Sequence, residues 1–321
     1  MNAIDNRDVQ SLMTRAIVQD IKPEAEGVLT MELVPDGEAE WPASDAGAHI
    51  DVELPNGTVR QYSVINPGEP NKYVISVLRA PDSRGGSKYI HDQLSDGSVV
   101  RVGRPRNNFP LIADDRPVCL IGGGIGVTPL LAMAQTLAGT DREWWLYYCV
   151  RTPAHAGFGR LLDRFGDRVR MHYDSASGSA PDLQAMVGTF DDAHVYCCGP
   201  QAMLTAFEQC TAEIPSELVH IERFSPADIP ADSPAFIVEL VRQGLTLDVP
   251  EDKSILDVIE ESGVQVESSC RIGICGTCET AIVEGQADHK DEYLTDDEKK
   301  EGRSMMICCS RSKSPVLRLD I

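Results

Sequence analysis

The chain is poor in positive charge. Its 321 residues carry 29 Lys and Arg against 50 Asp and Glu, a formal net charge of −21. No basic field exists to neutralise phosphates, which argues against nucleic acid as a partner. An acidic surface suits solubility, and it equally suits docking against a basic face of another protein. The first residues, Met1 to Asp8, are charged and hold no apolar h-region. No secretory leader is expected, and a reducing cytosol is the expected compartment. The seven histidines show no metal-ligand spacing. Internal repeats and low-complexity tracts are absent. Val118 to Thr140 is uncharged and long enough to span a bilayer. Its glycines, Thr128 and Pro129 break the apolar character, so a buried strand, a turn and a helix are expected instead.

What is present is the composition of a folded chain, 42% hydrophobic and 25% charged, with length for two or three domains. Residues 1–111 alternate apolar and polar positions at Val28–Leu33 and His49–Leu54, with a further strand at Tyr73–Leu78. Pro55-Asn56-Gly57 is a hairpin-type turn. Short strands with regular turns predict a small antiparallel barrel. Residues 112–226 change character: Val118–Ile121, Trp145–Val150, Val169–Tyr173 and His194–Cys198 read as buried strands separated by helical stretches. That pattern predicts a doubly wound α/β sheet. Residues 227–235 hold two prolines and read as a linker. In 236–321, Phe236–Val241 and Leu245–Val249 predict a hairpin, and Ser254 with Asp257 predicts a capped helix.

Four cysteines in this last segment carry the most chemistry. Cys270, Cys275 and Cys278 form C-x4-C-x2-C, and Cys308 follows after a long gap. This is the ligand spacing of a plant-type [2Fe–2S] cluster. Gly273 and Gly276 would let the loop curve and turn backbone N–H groups towards the sulfurs. The alternatives are a zinc site or buried structural cysteines. Structural zinc sites pair their ligands as two short hairpins, and the last pair is missing here.

The strand ending at Ile121 runs into Gly122-Gly123-Gly124-Ile125-Gly126-Val127-Thr128-Pro129. Glycines between a buried strand and a helix allow the backbone to approach a pyrophosphate. The dinucleotide fingerprint is half met: its third position is Pro129, and the next strand ends in Val150-Arg151-Thr152 without the expected acid. A tight turn without a ligand is the other reading. A second turn of the same kind is Cys198-Gly199-Pro200. Further upstream stand Arg60-Gln61-Tyr62-Ser63 and, preceded by Arg79, Arg84-Gly85-Gly86-Ser87. Arginines and bare glycine N–H groups are what a bound phosphate needs. Tyr62 adds an aromatic face, and Ser63 a hydrogen-bonding hydroxyl.

Taken together, Gly124–Pro129 with Cys198–Pro200 and Arg60–Ser63 resemble the ferredoxin–NADP reductase superfamily. With the C-terminal cysteines, the whole chain resembles the phthalate dioxygenase reductase family, which is similar to vanillate demethylase and carnitine monooxygenase reductases. Pro105–Leu111, Met306–Arg311 and Glu222-Arg223-Phe224 match as well. The resemblance implies a flavin barrel, a nucleotide domain and an α+β, β-grasp ferredoxin domain. It implies that FMN is held by Arg60, Tyr62, Ser63, Arg79, Arg84, Gly85, Gly86 and Ser87. Gly123, Gly124, Gly126, Thr128, Pro129, Gly199 and Pro200 would hold NADH. Cys198, Thr128 and Ser63 would serve the chemistry, with Cys198 and Thr128 setting the nicotinamide. Cys308 rather than Cys309 would be the fourth ligand, and Phe224 would pack near the flavin, unless it is an ordinary core phenylalanine. Lysine is absent from 111–235, and Arg151 is the one basic residue at the relevant strand end. The remaining cysteines, Cys119, Cys149, Cys197, Cys210 and Cys309, read as buried fillers. The implied activity is electron flow from NADH through FMN and the cluster to a Rieske-type oxygenase. A cytochrome P450 partner, a stand-alone flavin or iron reductase and a redox sensor are the alternatives.

Overall fold

A computed structural model describes residues 13–81, 85–190, 192–224, 234–268, 271, 273, 275–291 and 293–321. The expected linker lies outside these residues except for Pro234 and Ala235. The chain forms two compact units, the first ending at Glu222 and the second running from Arg223 to Ile321.

The first unit begins with six strands: β1 (Thr14–Ala25), β2 (Val28–Pro35), β3 (His49–Glu53), β4 (Val59–Ser63), β5 (Tyr73–Leu78) and β6 (Val99–Val102). All pairings are antiparallel, in the order β4-β3-β6-β1-β2-β5. The alternation read from the sequence is realised as burial, with Met31, Leu33, Ile50 and Val52 inside. Beyond β4, Ile65 N donates to Val74 O of β5 at 2.8 Å, joining the two ends of the strand order and closing the barrel. The Asn66 side chain seals that corner: its Oδ1 accepts from Val74 N at 2.6 Å. Helix α1 (Gly86–Gln93) follows β5.

Five parallel strands come next: β7 (Val118–Gly123), β8 (Trp144–Val150), β9 (Val169–Tyr173), β10 (His194–Cys198) and β11 (Val219–Glu222). Their order is β11-β10-β7-β8-β9. Helix α2 (Val127–Leu137) follows β7, and α3 (Gln201–Cys210) follows β10. The chain winds outward from β7 through β8 to β9, then returns to the other side of β7. The strand order therefore reverses between β7 and β10, and ligands of open α/β sheets bind outside the carboxyl ends of such a pair. Barrel and sheet share one core: Ala46, Ile65 and Phe109 pack with Leu130, Leu131 and Met133. Gln135 of α2 also donates to Ile65 O at 2.5 Å. The join near residue 111 thus separates two sheets that lie over a common core.

The second unit contains β12 (Phe236–Leu240), β13 (Leu245–Val249), β14 (Glu279–Glu284), β15 (Ala287–Asp288), β16 (Ser304–Met306), β17 (Arg311–Ser312) and β18 (Val316–Leu319). Its main sheet runs β13-β12-β18-β14-β16, with β12 parallel to β18. Helix α4 (Ile255–Glu261) starts in the expected capping box of Ser254 and Asp257. It lays Ile255, Leu256 and Ile259 on Val238, Leu240, Leu317 and Leu319. A shorter helix, α5 (Asp296–Glu301), has its own box from Thr295 and Glu298. Hairpin, helix and central parallel pair make this the β-grasp arrangement. Among the described residues no helix is long and apolar enough to cross a membrane.

Candidate functional site

The turns after β7 and β10 lie side by side, with Gly122 and Cys198 in register. Their glycines are dictated by how closely they meet. A Cβ on Gly126 would stand 2.6 Å from the Cys198 carbonyl carbon and 2.7 Å from Gly199 N. One on Gly199 would meet Met203 Sδ at 2.8 Å, and one on Gly123 would meet Pro200 Cδ at 2.7 Å. Gly124 differs: it is left-handed, φ +54°, and has nothing within 4 Å. It is the glycine of this turn that presents bare backbone to open space at the head of α2. Thr128 is buried and its hydroxyl donates to Ile125 O at 3.0 Å, bracing the turn. Pro129 falls in the first turn of α2, where a missing N–H costs no hydrogen bond.

Cys198 closes β10 and is completely buried. Burial, then the neighbouring Glu222, pushes its thiol well above the ordinary range, so it stays protonated and offers bulk rather than nucleophilicity. Glu222 closes β11 as the register partner of Cys198. Burial pushes its carboxyl up to about 8. Its Oε2 is buried with no hydrogen-bond partner among the described residues, an arrangement native proteins keep at sites of ligand or function. Sequence reasoning quoted Glu222 only as part of a motif. The signal was available: a carboxylate at the last position of a buried parallel strand, level with Cys198. Phe224 is 45% exposed, which removes the ordinary core reading.

On the barrel side, Arg60, Tyr62 and Ser63 lie on β4. The Arg60 side chain lies against Gly86, where a Cβ would stand 2.8 Å from its Cγ and 3.0 Å from its Nε. The two flavin motifs are therefore adjacent in space. Gly85, at the head of α1, is left-handed, φ +93°, and a Cβ on it would meet none of the described residues within 4 Å. Ser63 Oγ is buried without a hydrogen-bond partner among the described residues. Burial pushes the Tyr62 phenol upward, so the ring is a neutral surface. Arginine, bare glycine amides at a helix start and an unsatisfied hydroxyl together fit a flavin phosphate and ring. The Arg79 guanidinium pairs with Asp92 at 2.7 Å. Ser87 Oγ accepts from Ala80 N at 3.2 Å, and Arg84 lies outside the described residues. Strand β5 touches the Gly124–Gly126 turn, which places barrel and crevice against each other.

No acid closes β8, but one stands a strand further out. Asp174 follows β9, beside the end of β8, where Ser175 N donates to Arg151 O at 2.9 Å. Its place beside Arg151, one residue past the Val150–Tyr173 pair, could be read only once β8 and β9 were paired.

In the second unit Cys278 and Cys308 are buried in one core with Met305 and Ile307. The Cys275 thiol lies 3.2 Å from Thr277 Oγ1. Cys270 lies outside the described residues. Among its described residues the loop bends through three left-handed ones, Arg271, Gly273 and Gly276. A Cβ on Gly276 would meet the Tyr293 ring at 2.6 Å, and one on Gly273 would meet Cys309 Sγ at 2.5 Å. Cys309 thus packs behind the loop. Arg271 is tied to α4 by Asp257, at 3.4 Å, and Glu260. A tightly curved loop and thiols gathered in a core fit an iron–sulfur cluster. Arg311, unassigned from the sequence, is a buried strut. It donates to the carbonyls of Lys253 at 2.7 Å and Pro250 at 2.9 Å.

A closed barrel, a switch-point crevice abutting it and a β-grasp unit with a cysteine loop define a class of electron-transfer oxidoreductase. Residues 238–313 match the family described as a 2Fe-2S iron-sulfur cluster binding domain. The chain is 43% identical over 279 residues to the phenoxybenzoate dioxygenase subunit beta of Ectopseudomonas oleovorans, covering 86% of this chain and 88% of that protein. The solved phthalate dioxygenase reductase, described as a modular structure for electron transfer from pyridine nucleotides to [2Fe-2S], is 37% identical. It matches 97% of this chain and 99% of its own, with a TM-score of 0.74. An intact type IV self-sufficient cytochrome P450 monooxygenase matches at a TM-score of 0.77 and 32% identity. All of this chain is covered there, but only 42% of that larger one. The chain belongs to the phthalate dioxygenase reductase family.

Proposed function

We propose that the chain is the NADH-dependent reductase of a two-component oxygenase system, holding FMN in the barrel and a [2Fe–2S] cluster in the β-grasp unit. The observation that carries this reading is the meeting of the β4–α1 cradle and the β7–β10 crevice within one unit. Bound flavin exchanges a two-electron hydride for single electrons. The chain's own residues bind and orient. Arg60 and the amides of Gly85 and Gly86 hold the flavin phosphate, and Ser63 supplies its unsatisfied hydroxyl to the ring. Gly124 admits the pyrophosphate of the nucleotide. Cys198 and Glu222 form a buried floor beneath the nicotinamide. Asp174 favours NADH, because its carboxylate suits a ribose diol and repels a ribose phosphate. Cys270, Cys275, Cys278 and Cys308 ligate the cluster.

The partner is a Rieske-type oxygenase. The dioxygenase systems named among the relatives support this choice. The likeness to the self-sufficient P450 makes a P450 partner the second reading. Thiolate ligands suit a reducing compartment, which favours the cytoplasm. Cys275→Ser tests the wiring: NADH should still bleach the flavin, while reduction of a one-electron acceptor protein should fall at least tenfold. Normal iron content and normal visible absorption in that variant would remove Cys275 from the ligand set.

A further inference from the structure

A buried carboxylate outside the ligand set joins the two segments that carry the cysteines. The Asp291 side chain is wholly withdrawn from solvent. Its Oδ2 accepts from Leu294 N at 2.9 Å, and its Oδ1 accepts from the Ser310 hydroxyl at 3.2 Å. His289 Nδ1 lies 3.3 Å from Oδ1. Lys299 Nζ stands 3.9 Å from Oδ2 and donates to the Asp291 carbonyl at 2.6 Å. With His289 in its Nδ1–H tautomer, each of these polar neighbours presents a donor.

Asp291 also touches both cysteine-bearing segments. A Cβ on Gly273, within the C-x4-C loop, would stand 3.0 Å from Asp291 Cα and 3.1 Å from its Cβ. On the other side, Ser310 follows Cys308 by two residues, is fully buried, and accepts from Lys290 N at 3.1 Å. A buried charge is a weak device for stability alone, since an apolar replacement often serves as well. Fixed negative charge in a low-dielectric site has a second effect: it opposes the arrival of an electron nearby.

We propose that Asp291 is a positioning residue for the cysteine loop, fastening the Gly273 turn to the Ser310 turn and holding the reduction potential of the cluster down. The proposal rests on the [2Fe–2S] reading above. Iron content and the visible spectrum of the unmodified protein are therefore measured first, and absence of iron there defeats the cluster reading before Asp291 is tested. In Asp291→Asn the shape is kept and the charge removed. The expected result is retained iron with a higher reduction potential. A roughly tenfold larger ratio of reduced to oxidised cluster at fixed solution potential would correspond to about 59 mV for a one-electron couple. A purely structural role would lower the unfolding temperature and leave the potential in place. In Ser310→Ala the carboxylate stays and its tie to the Cys308 turn is cut. Iron release to a chelator should become severalfold faster, with the potential near that of the unmodified protein. Loss of iron from Asp291→Asn in an otherwise folded chain supports the fastening. An unshifted potential in an iron-loaded Asp291→Asn, or unchanged iron release from Ser310→Ala, overturns the proposal.

Discussion

The nucleotide crevice and the cysteine loop are both built on glycine, for opposite reasons. In the crevice Gly123, Gly126 and Gly199 have unexceptional backbone angles and are required because two turns of the same chain nearly touch. In the loop Gly273 and Gly276 are left-handed as well as crowded, and Arg271 shares that conformation without glycine's freedom. The crevice is therefore fixed by packing that the folded unit supplies itself. The loop is held in costly backbone angles by outside ties, among them Arg271 to α4 and Asp291 to Ser310. A crevice of the first kind is ready before its ligand arrives, whereas a loop of the second kind leans on its neighbours and on what it binds.

The largest effect is expected at Gly126. Its missing Cβ faces backbone, which cannot swing aside, so Gly126→Ala should cost about 1–3 kcal/mol or more. Flavin reduction by NADH should slow at least tenfold while iron content stays normal. An unchanged melting temperature and hydride-transfer rate would break the claim that contact between the turns sets the crevice. Gly273→Ala should act on the other half: iron is lost, and NADH-driven flavin reduction persists. Pairing it with Cys309→Ala removes the tightest clash and leaves the 3.0 Å approach to Asp291 Cα together with about 1–2 kcal/mol of left-handed strain. Full restoration of iron binding by that pairing would show that angle plays no part. Gly124→Ala is milder than Gly126→Ala, because only its angle is at stake and its methyl faces open space. A severalfold rise in KM for NADH with little change in stability is expected. Equal losses from the two substitutions would erase the distinction between them.

A different kind of effect is a pH slope. Burial raises Glu222 from the usual 4.5 to about 8, so the folded chain holds that proton more tightly than the unfolded one. Its contribution to stability is complete below about pH 4.5 and is lost as pH rises through about 8. Glu222→Gln should flatten the fall in melting temperature across that window. Parallel curves for the two proteins would mean that the carboxyl is already ionised in the fold.

Much of this comparison was legible in the sequence where spacing is local. The C-x4-C-x2-C loop, the glycine turn and the Ser254 capping box each declare themselves within ten residues. The strands Val28–Leu33 and Val118–Ile121 announced themselves by alternation and by a continuous apolar run. Strand β1 did not, because only Ala16 and Val18 of its twelve residues are fully buried and its polar face is long. Residues whose meaning comes from pairing were out of reach. Glu222 matters because β11 lies beside β10, Asp174 because β9 lies beside β8, and Asp291 because it meets Gly273 and Ser310 across the fold. The pairing of Arg79 with Asp92 was likewise out of reach of the sequence.

An anaerobic titration of the purified protein with NADH, followed by its visible spectrum, tests the central claim most directly. One flavin and one cluster store three electrons, so the account predicts bleaching of both chromophores, complete at about one and a half equivalents. An endpoint near one equivalent with the cluster bands unmoved would contradict it.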